Sequence, residues 1–290
     1  MSRLYDGPIF DAHVHFWTYR AGERDWIETE TGAPLARSFA FPDYARAAQG
    51  LAVEGVVWVE ALANDPVAEC GDASALAGPL RTGVVAHAPL DAPDLEQRLD
   101  RLAAAAPTLR GIRDIAAAAP GRPSLARRRD LLERPAFAQG LRALERRGLV
   151  FDLMLEPGQM NAAIALAAAL PKLSFVIEHA GNPDFSSIDG ARAWRDAMAV
   201  AAERPNVALK LSALHCRMPN WTDETLLDPI RWAIGRFGVE RVAFASDFPA
   251  HDRTCPMARA YLTFRRAAAA YGPSDQRALF YENAQRIYRL

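Results

Sequence analysis

Eight short apolar runs, each followed by a helical pattern, constrain the fold of this chain more than any other feature. The runs are rich in valine, leucine, isoleucine and phenylalanine, and they begin near residues 9, 55, 82, 109, 149, 173, 207 and 241. Strands this apolar are typical of parallel sheets that are buried on both faces. Eight such units in 290 residues favour a closed (β/α)8 TIM-like barrel over an open sheet. We therefore predict an α/β chain with one barrel domain over residues 1–290.

The composition argues against several functional classes. Hydrophobic residues form 50% and charged residues 24% of the chain, which is typical of a globular protein with a large core. A net charge of −1 provides no basic field for nucleic acid or an anionic membrane. The apolar runs are too short to span a bilayer, and three irregularly spaced cysteines do not suggest a disulfide framework. We expect a cytoplasmic protein with a small-molecule substrate, and apolar positions on its outer helices are compatible with a homodimer.

All six histidines fall at or just after the carboxyl ends of predicted strands, where barrel enzymes build their active sites. They are His13 and His15 on the first strand, His87 on the third, His179 on the sixth, and His215 and His251 past the seventh and eighth. His13 and His15 are two residues apart, so their imidazoles can converge on one metal ion or one substrate oxygen. The same alternation predicts that Asp11 shares their face. Of the six, His251 is the one we first expect to pack or cap a loop instead.

Five further ionisable side chains join this rim, namely Glu60, Arg113, Asp114, Lys210 and Asp247. Asp247 is a candidate general base for a water molecule, and its alternative is a helix cap or an arginine partner. Arg113 either binds a substrate carboxylate or forms an internal salt bridge to Glu60 or Asp114. Lys210 is predicted to face inward, where hydrogen bonding or charge balance is favoured over a Schiff base.

The segments 18–41, 116–134 and 214–221 have no clear periodicity, so substrate specificity is expected there. Trp17, Trp26 and Trp221 lie in or beside them and either stack on a sugar ring or pack in the core. The complete set of predicted substrate contacts is Arg113, Glu60, Lys210, His87, His215 and Trp17.

Seven segments together resemble one known family. They are DAHVHFW, LRGIRD, FDLML, FVIEHAGNP, NVALKLSAL, FGVERVAFASDFP and ENAQRIYRL. This set resembles the amidohydrolase superfamily of distorted (β/α)8 barrels, and within it the sugar-lactone and dicarboxylate-lactone hydrolases of the amidohydrolase-2 group. The resemblance covers nearly the whole chain. It implies a hydrolase that opens a lactone of a sugar acid or a small carboxylated lactone.

The resemblance also implies roles for individual residues. Asp247 would deprotonate the attacking water, while His13, His15 and His179 would polarise the carbonyl directly or through a divalent ion. A single zinc or manganese ion would be held by these four side chains, but some lactonases of the group need no metal, so both alternatives stay open. Two-metal members of the superfamily carry a lysine on strand five, where this chain has Met154–Glu156. A two-metal centre with Glu156 as its bridge is therefore disfavoured.

Two other functions are compatible with the sequence. Relatives in the same group are metal-dependent decarboxylases of aromatic or muconate-type acids. A non-catalytic barrel that binds a ligand is the third alternative, because a fold alone does not prove an activity. It is disfavoured because such a barrel is expected to lose the ionisable residues of its rim.

Overall fold

The computed structural model describes residues 4–29, 32–252 and 254–290. Its central sheet has eight strands, all parallel and hydrogen-bonded to each other in chain order. The strands are β1 (Ile9–Val14), β2 (Val53–Val59), β3 (Arg81–His87), β4 (Leu109–Arg113), β5 (Val150–Leu153), β6 (Phe175–Ile177), β7 (Val207–Leu211) and β8 (Val242–Phe244). The predicted α/β barrel is therefore confirmed.

One α-helix follows each strand, and a final helical stretch follows the eighth. The helices are α1 (Phe41–Ala47), α2 (Pro66–Leu76), α3 (Leu95–Ala105), α4 (Pro135–Arg147), α5 (Met160–Ala169), α6 (Ile188–Ala202), α7 (Asp223–Phe237), α8 (Met257–Ala268), α9 (Pro273–Arg277) and α10 (Asn283–Tyr288). A π-helical turn, Ala278–Glu282, joins α9 to α10. Short 3-10 turns occupy Ala33–Leu35, Leu131–Glu133, Pro157–Gln159, His179–Gly181, Leu214–Arg217 and Val239–Arg241. None of the helices in the described ranges has the length and apolar character needed to cross a membrane.

The barrel closes where the chain leaves β8 and runs alongside β1. The Asp247 backbone N–H donates to the His13 carbonyl at 2.9 Å, and the His15 N–H donates to the Phe248 carbonyl at 2.7 Å. Val14 and Phe248 form a parallel bridge between these two bonds. The seam that closes the barrel therefore carries three of the residues predicted for the active site.

The end of the chain covers the amino ends of the strands. Tyr288 of α10 packs with the residues inside the barrel, such as Phe10 and Val176, and its side chain is 1% exposed. Just before α10, Tyr281 donates to Glu54 near the start of β2 at 2.7 Å. This packing leaves the opposite end of the barrel, at the carboxyl ends of the strands, for the active site.

Several strands end earlier than their apolar sequences suggest. The sixth and eighth runs continue to His179 and Asp247, but β6 ends at Ile177 and β8 at Phe244. At His179 and Asp247 the backbone is left-handed, with φ angles of 50° and 56°, so neither residue can continue a strand. Periodicity does not report this turn, because the apolar character of the sequence continues through it.

Two helical glycines form a matched pair that tests the packing of the outer layer. A Cβ atom on Gly140 of α4 would lie 2.1 Å from the Leu90 carbonyl oxygen, whereas a Cβ on Gly235 of α7 would meet no atom within 4 Å. We predict that Gly140→Ala lowers stability by about 1–3 kcal/mol through overpacking. Gly235→Ala should raise it by about 0.5–1 kcal/mol, because alanine is the better helix former. Urea unfolding followed by circular dichroism measures both, and equal shifts for the two variants would contradict this packing.

Candidate active site

A cavity of about 620 Å³ opens at the carboxyl ends of the strands. Its polar floor consists of His15, Arg113, His179, Asp247 and His251. Four of these five are nine-tenths buried or more, whereas His251 is partly exposed. The cavity floor therefore holds imidazole, guanidinium and carboxylate groups that are largely shielded by the surrounding protein.

The remaining surface of the cavity is largely apolar. We call its larger side chains the apolar wall, which consists of Trp26, Leu35, Leu62, Ile115, Leu125 and Met154. They come from the segment after β1 and from the loops after β2, β4 and β5. Trp26 is fixed in place because its indole N–H donates to the Ala61 carbonyl at 2.7 Å.

His13 lies beneath the cavity floor and converges there with His15 and Asp247. The two imidazole Nε2 atoms lie 3.1 Å apart. Asp247 Oδ1 lies 3.5 Å from Nε2 of His13 and 3.3 Å from Nε2 of His15. His15 donates from Nδ1 to the Val59 carbonyl at 2.8 Å, which turns its Nε2 toward Asp247 Oδ1. Burial and the positive charge of Lys210 hold the pKa of His13 well below its usual range, so this imidazole is neutral.

This donor set fits one divalent cation. Four-coordinate zinc has ligands at roughly 2.0–2.1 Å, which places neighbouring ligand atoms about 3.3 Å apart. The three separations within the His13, His15 and Asp247 group are close to that value. Asp247 Oδ1 and Glu178 Oε1 are buried without a hydrogen-bond partner, as expected for atoms that face a cation. Glu178 also belongs to a second candidate group, with His13 and His179.

His251 is bound directly to Asp247. Its Nδ1 contacts Asp247 Oδ2, and both residues line the cavity. Burial disfavours the charged carboxylate, but His179 and His251 outweigh burial and hold the pKa of Asp247 well below its usual range. Burial likewise disfavours a charged His251, yet Asp247 keeps the pKa of His251 well above its usual range. The expectation that His251 serves mainly to pack or cap a loop was therefore wrong, and its position four residues after Asp247 was the signal available in the sequence.

His179 stands beside this pair as a neutral imidazole. Its Nδ1 lies 2.9 Å from the Ser212 hydroxyl and 3.9 Å from Asp247 Oδ2. Burial, together with the positive charges of His251 and Arg113, lowers the pKa of His179 to about 3. His179 and Asp247 both have the left-handed backbone described above, which few residues other than glycine adopt without strain. The strained turns aim the two side chains at the cavity.

Arg113 is held by internal partners. Its Nε donates to Glu60 Oε1 at 2.5 Å and its Nη2 to the Glu60 carbonyl at 2.7 Å. Its Nη1 donates to Glu178 Oε2 at 3.1 Å. Of the two predicted alternatives, the structure shows the salt bridge to Glu60. Sequence reasoning missed Glu178, although its position immediately before His179 at the end of β6 could have indicated it.

Glu60 and Lys210 lie below the cavity rather than on its surface. Lys210 Nζ donates to Asp152 Oδ2 at 2.5 Å and lies 3.5 Å from His13 Nδ1. Tyr288 donates to the same Asp152 carboxylate at 2.7 Å from the opposite end of the barrel. Lys210 faces inward as predicted, but its charge is balanced by carboxylates. Glu60 and Lys210 were predicted to contact substrate, but they do not line the cavity, and they position neighbouring side chains instead.

Three other predicted substrate contacts also lie off the cavity surface. His87 Nδ1 lies 3.1 Å from the Arg113 carbonyl, and His215 Nε2 lies 2.9 Å from the Thr254 hydroxyl behind His251. Trp17 is 1% exposed, and its indole donates to the Arg37 carbonyl at 2.8 Å. Each of the three has a ring nitrogen within hydrogen-bond distance of a nearby protein atom, and none of them lines the cavity.

The remaining rim carboxylates have structural partners. Asp11 turns away from His13 and His15, because β1 has a register irregularity between Asp11 and Val14. It accepts instead from the hydroxyl of Tyr44 at 2.8 Å, so the expected shared face was wrong.

Asp114 and Glu156 are paired with arginines. Asp114 accepts from the Leu90 N–H at 2.9 Å and from Arg127 at 2.7 Å. Glu156 binds both terminal nitrogens of Arg217 at 2.6 Å, so both of its carboxylate oxygens are engaged.

Comparison with known proteins agrees with this geometry. The family profile described as amidohydrolase matches residues 10–290. The chain is 28% identical to protein y4mH of Sinorhizobium fredii, which is uncharacterised, over 99% of this chain and 100% of the relative. It is 29% identical to the L-fucono-1,5-lactonase of Burkholderia ambifaria over 82% of this chain and 79% of the relative. An amidohydrolase from Burkholderia multivorans with bound zinc is 25% identical and superposes with a TM-score of 0.85, covering 98% of this chain and 100% of the relative. The chain therefore belongs to the amidohydrolase family, and the protein is a hydrolase.

Proposed function

We propose that this hydrolase opens the ring of a lactone by attack of a water molecule that Asp247 activates. The main support for this proposal is the set of contacts that the Asp247 carboxylate makes on the cavity floor. His251 holds its Oδ2, while its Oδ1 is buried without a hydrogen-bond partner and faces His13 and His15. The similarity to an L-fucono-1,5-lactonase supports the same class of reaction.

In this mechanism the Asp247 carboxylate accepts a proton from a water molecule in the cavity. The water oxygen forms a bond to the lactone carbonyl carbon, and the carbonyl oxygen takes up the negative charge of the tetrahedral intermediate. The bond from the former carbonyl carbon to the ring oxygen then breaks, and the ring oxygen receives the proton from Asp247. A buried carboxylate stays ionised at neutral pH only if nearby groups offset the cost of burial, and His251, whose pKa is raised by Asp247, does so here.

His179 is placed to polarise the carbonyl. If the Ser212 hydroxyl donates to Nδ1, the neutral ring carries its proton on Nε2 and can donate it toward the cavity. His13 and His15, with the Asp247 carboxylate, would hold one divalent cation, zinc in the first instance. A bound cation would supply Lewis acidity and lower the pKa of a water molecule.

The decarboxylase alternative is less well supported. Such an enzyme binds a substrate carboxylate, for which a free cationic side chain in the cavity is the natural partner. Arg113 is the guanidinium on the described cavity surface, and it is already bound by Glu60 and Glu178. The non-catalytic barrel is excluded by membership of a hydrolase family with an intact polar floor.

We predict that Asp247→Asn lowers kcat for lactone hydrolysis by about 10²–10⁴-fold, because the amide cannot accept the proton from water. Asp65→Asn is the matched control. Asp65 caps α2 near the same end of the barrel, and asparagine caps equally well, so this variant should retain full activity. Initial rates by pH-stat measure both, with circular dichroism to confirm the fold. A folded Asp247→Asn variant with wild-type kcat would contradict the mechanism.

We also predict that the purified protein binds about one equivalent of zinc. His15→Ala should reduce zinc well below one equivalent, because it removes one donor of three. His87→Ala is the control, since His87 lies outside both candidate metal groups in the described residues. Elemental analysis after dialysis against zinc gives the stoichiometry. Equal zinc content in the two variants, or an active wild-type enzyme without metal, would contradict the proposed cation.

A further inference from the structure

We infer that the lactone carries an uncharged, apolar substituent, such as an alkyl chain, rather than a carboxylate or several hydroxyl groups. This inference rests on the proposed lactone hydrolysis and concerns the part of the substrate that does not react. It follows from the charge balance of the polar floor, from the hydrogen bonds of the two cavity threonines, and from two leucines of the apolar wall.

The positive charges of the floor are already balanced. Arg113 binds Glu60 and Glu178, and both carboxylates are fully buried. His251 binds Asp247. A substrate carboxylate would therefore meet no unpaired cationic side chain on the cavity surface that the structure describes, and it would approach three buried carboxylates. The proposed divalent cation would act on the reacting carbonyl and not on the substituent.

The hydroxyl groups of the two cavity threonines are engaged as well. The Thr29 hydroxyl donates to the Trp26 carbonyl at 2.9 Å and accepts from the Gly32 N–H at 3.1 Å. The Thr254 hydroxyl donates to the His251 carbonyl at 3.0 Å and contacts His215. A sugar lactone needs a partner for each buried hydroxyl, because an unpaired polar group is costly to bury. Among the described lining residues, the side chains of the apolar wall supply no such hydrogen-bond partner, so the hydroxyl groups would depend on the polar floor.

Two leucines of the apolar wall are in unfavourable situations for apolar side chains: one has a left-handed backbone and the other is exposed. Leu62 has a left-handed φ of 57°, which is unfavourable for a branched side chain, and its N–H is fixed by Glu60 Oε2 at 2.6 Å. Leu125 is 48% exposed at the cavity. An apolar substrate group would cover Leu125 and pack against the Leu62 side chain.

The first test compares lactones that share one five-membered ring. The probes are γ-valerolactone, γ-octanolactone, galactono-1,4-lactone and 5-oxotetrahydrofuran-2-carboxylate. We expect kcat/KM to rise about threefold for each buried methylene, so on the order of 30-fold from the valero- to the octanolactone. The hydroxylated and carboxylated lactones should be poorer than γ-octanolactone. Higher kcat/KM for either of them would overturn the inference while leaving lactone hydrolysis intact.

Substitutions in the apolar wall test whether it causes the preference for longer alkyl lactones. Leu125→Ala should lower the ratio of kcat/KM for octanolactone over valerolactone about three- to tenfold. Leu262→Ala, which changes a leucine of similar exposure on α8, should leave the ratio unchanged. Leu62→Asn should also lower the ratio without unfolding the protein, because asparagine tolerates the left-handed backbone. An unchanged ratio in folded Leu125→Ala and Leu62→Asn would contradict the role of the wall.

Binding of lactams separates this inference from the proposed reaction, because lactams are not readily hydrolysed. Calorimetry should show that 5-butyl-2-pyrrolidinone binds at least about tenfold more tightly than pyroglutamate, its carboxylated analogue. If no lactone is hydrolysed but this preference is found, the proposed reaction fails and the apolar specificity stands. If pyroglutamate binds more tightly, the apolar specificity fails whatever the outcome of the kinetics.

Discussion

The hydrogen bonds that close the barrel also assemble the active site. Strand β1 presents His13, the residue just past its end is His15, and the turn after β8 presents Asp247. These two segments lie more than 230 residues apart in the chain. Backbone bonds from Asp247 to His13 and from His15 to Phe248 hold them in register. Asp11 strengthens the same seam, because its carboxylate accepts from the Ser246 N–H at 2.9 Å. The positions of the two Nε2 atoms and of Asp247 Oδ1 all depend on this closure.

The charges beneath the cavity explain how so many ionisable groups are tolerated in the interior. Arg113 binds both Glu60 and Glu178. Lys210 binds Asp152 and also lies next to His13. Removing one member would leave an uncompensated buried charge, which typically costs 3–5 kcal/mol. The network therefore fixes the floor in position. It also neutralises the cations that would otherwise attract an acidic substrate.

Much of the fold could be predicted from the sequence, because alternation of apolar strands and helices is a local property of the chain. The same reasoning placed His13, His15, His179 and Asp247 at one end of the barrel. It failed at Asp11, where a single register irregularity reverses the face that alternation predicts.

The roles of charged and aromatic residues were harder to predict because they depend on partners distant in sequence. Arg113 is 53 residues from Glu60 and 65 from Glu178, so the choice between a substrate and an internal salt bridge is made only by the folded barrel. Trp17 is similar, since its indole is satisfied by a carbonyl 20 residues away. His251 was misjudged because its contact with Asp247 depends on the turn after β8.

In the proposed mechanism Asp247 activates water and does not itself attack the carbonyl carbon. A single turnover in H₂¹⁸O, with enzyme in excess over γ-octanolactone, distinguishes these two roles. If water attacks, the product carboxylate gains one ¹⁸O in the first turnover, and mass spectrometry finds no label in the peptide containing Asp247. A first-turnover product without label, together with ¹⁸O in Asp247, would show a covalent acyl-aspartate and contradict attack by water.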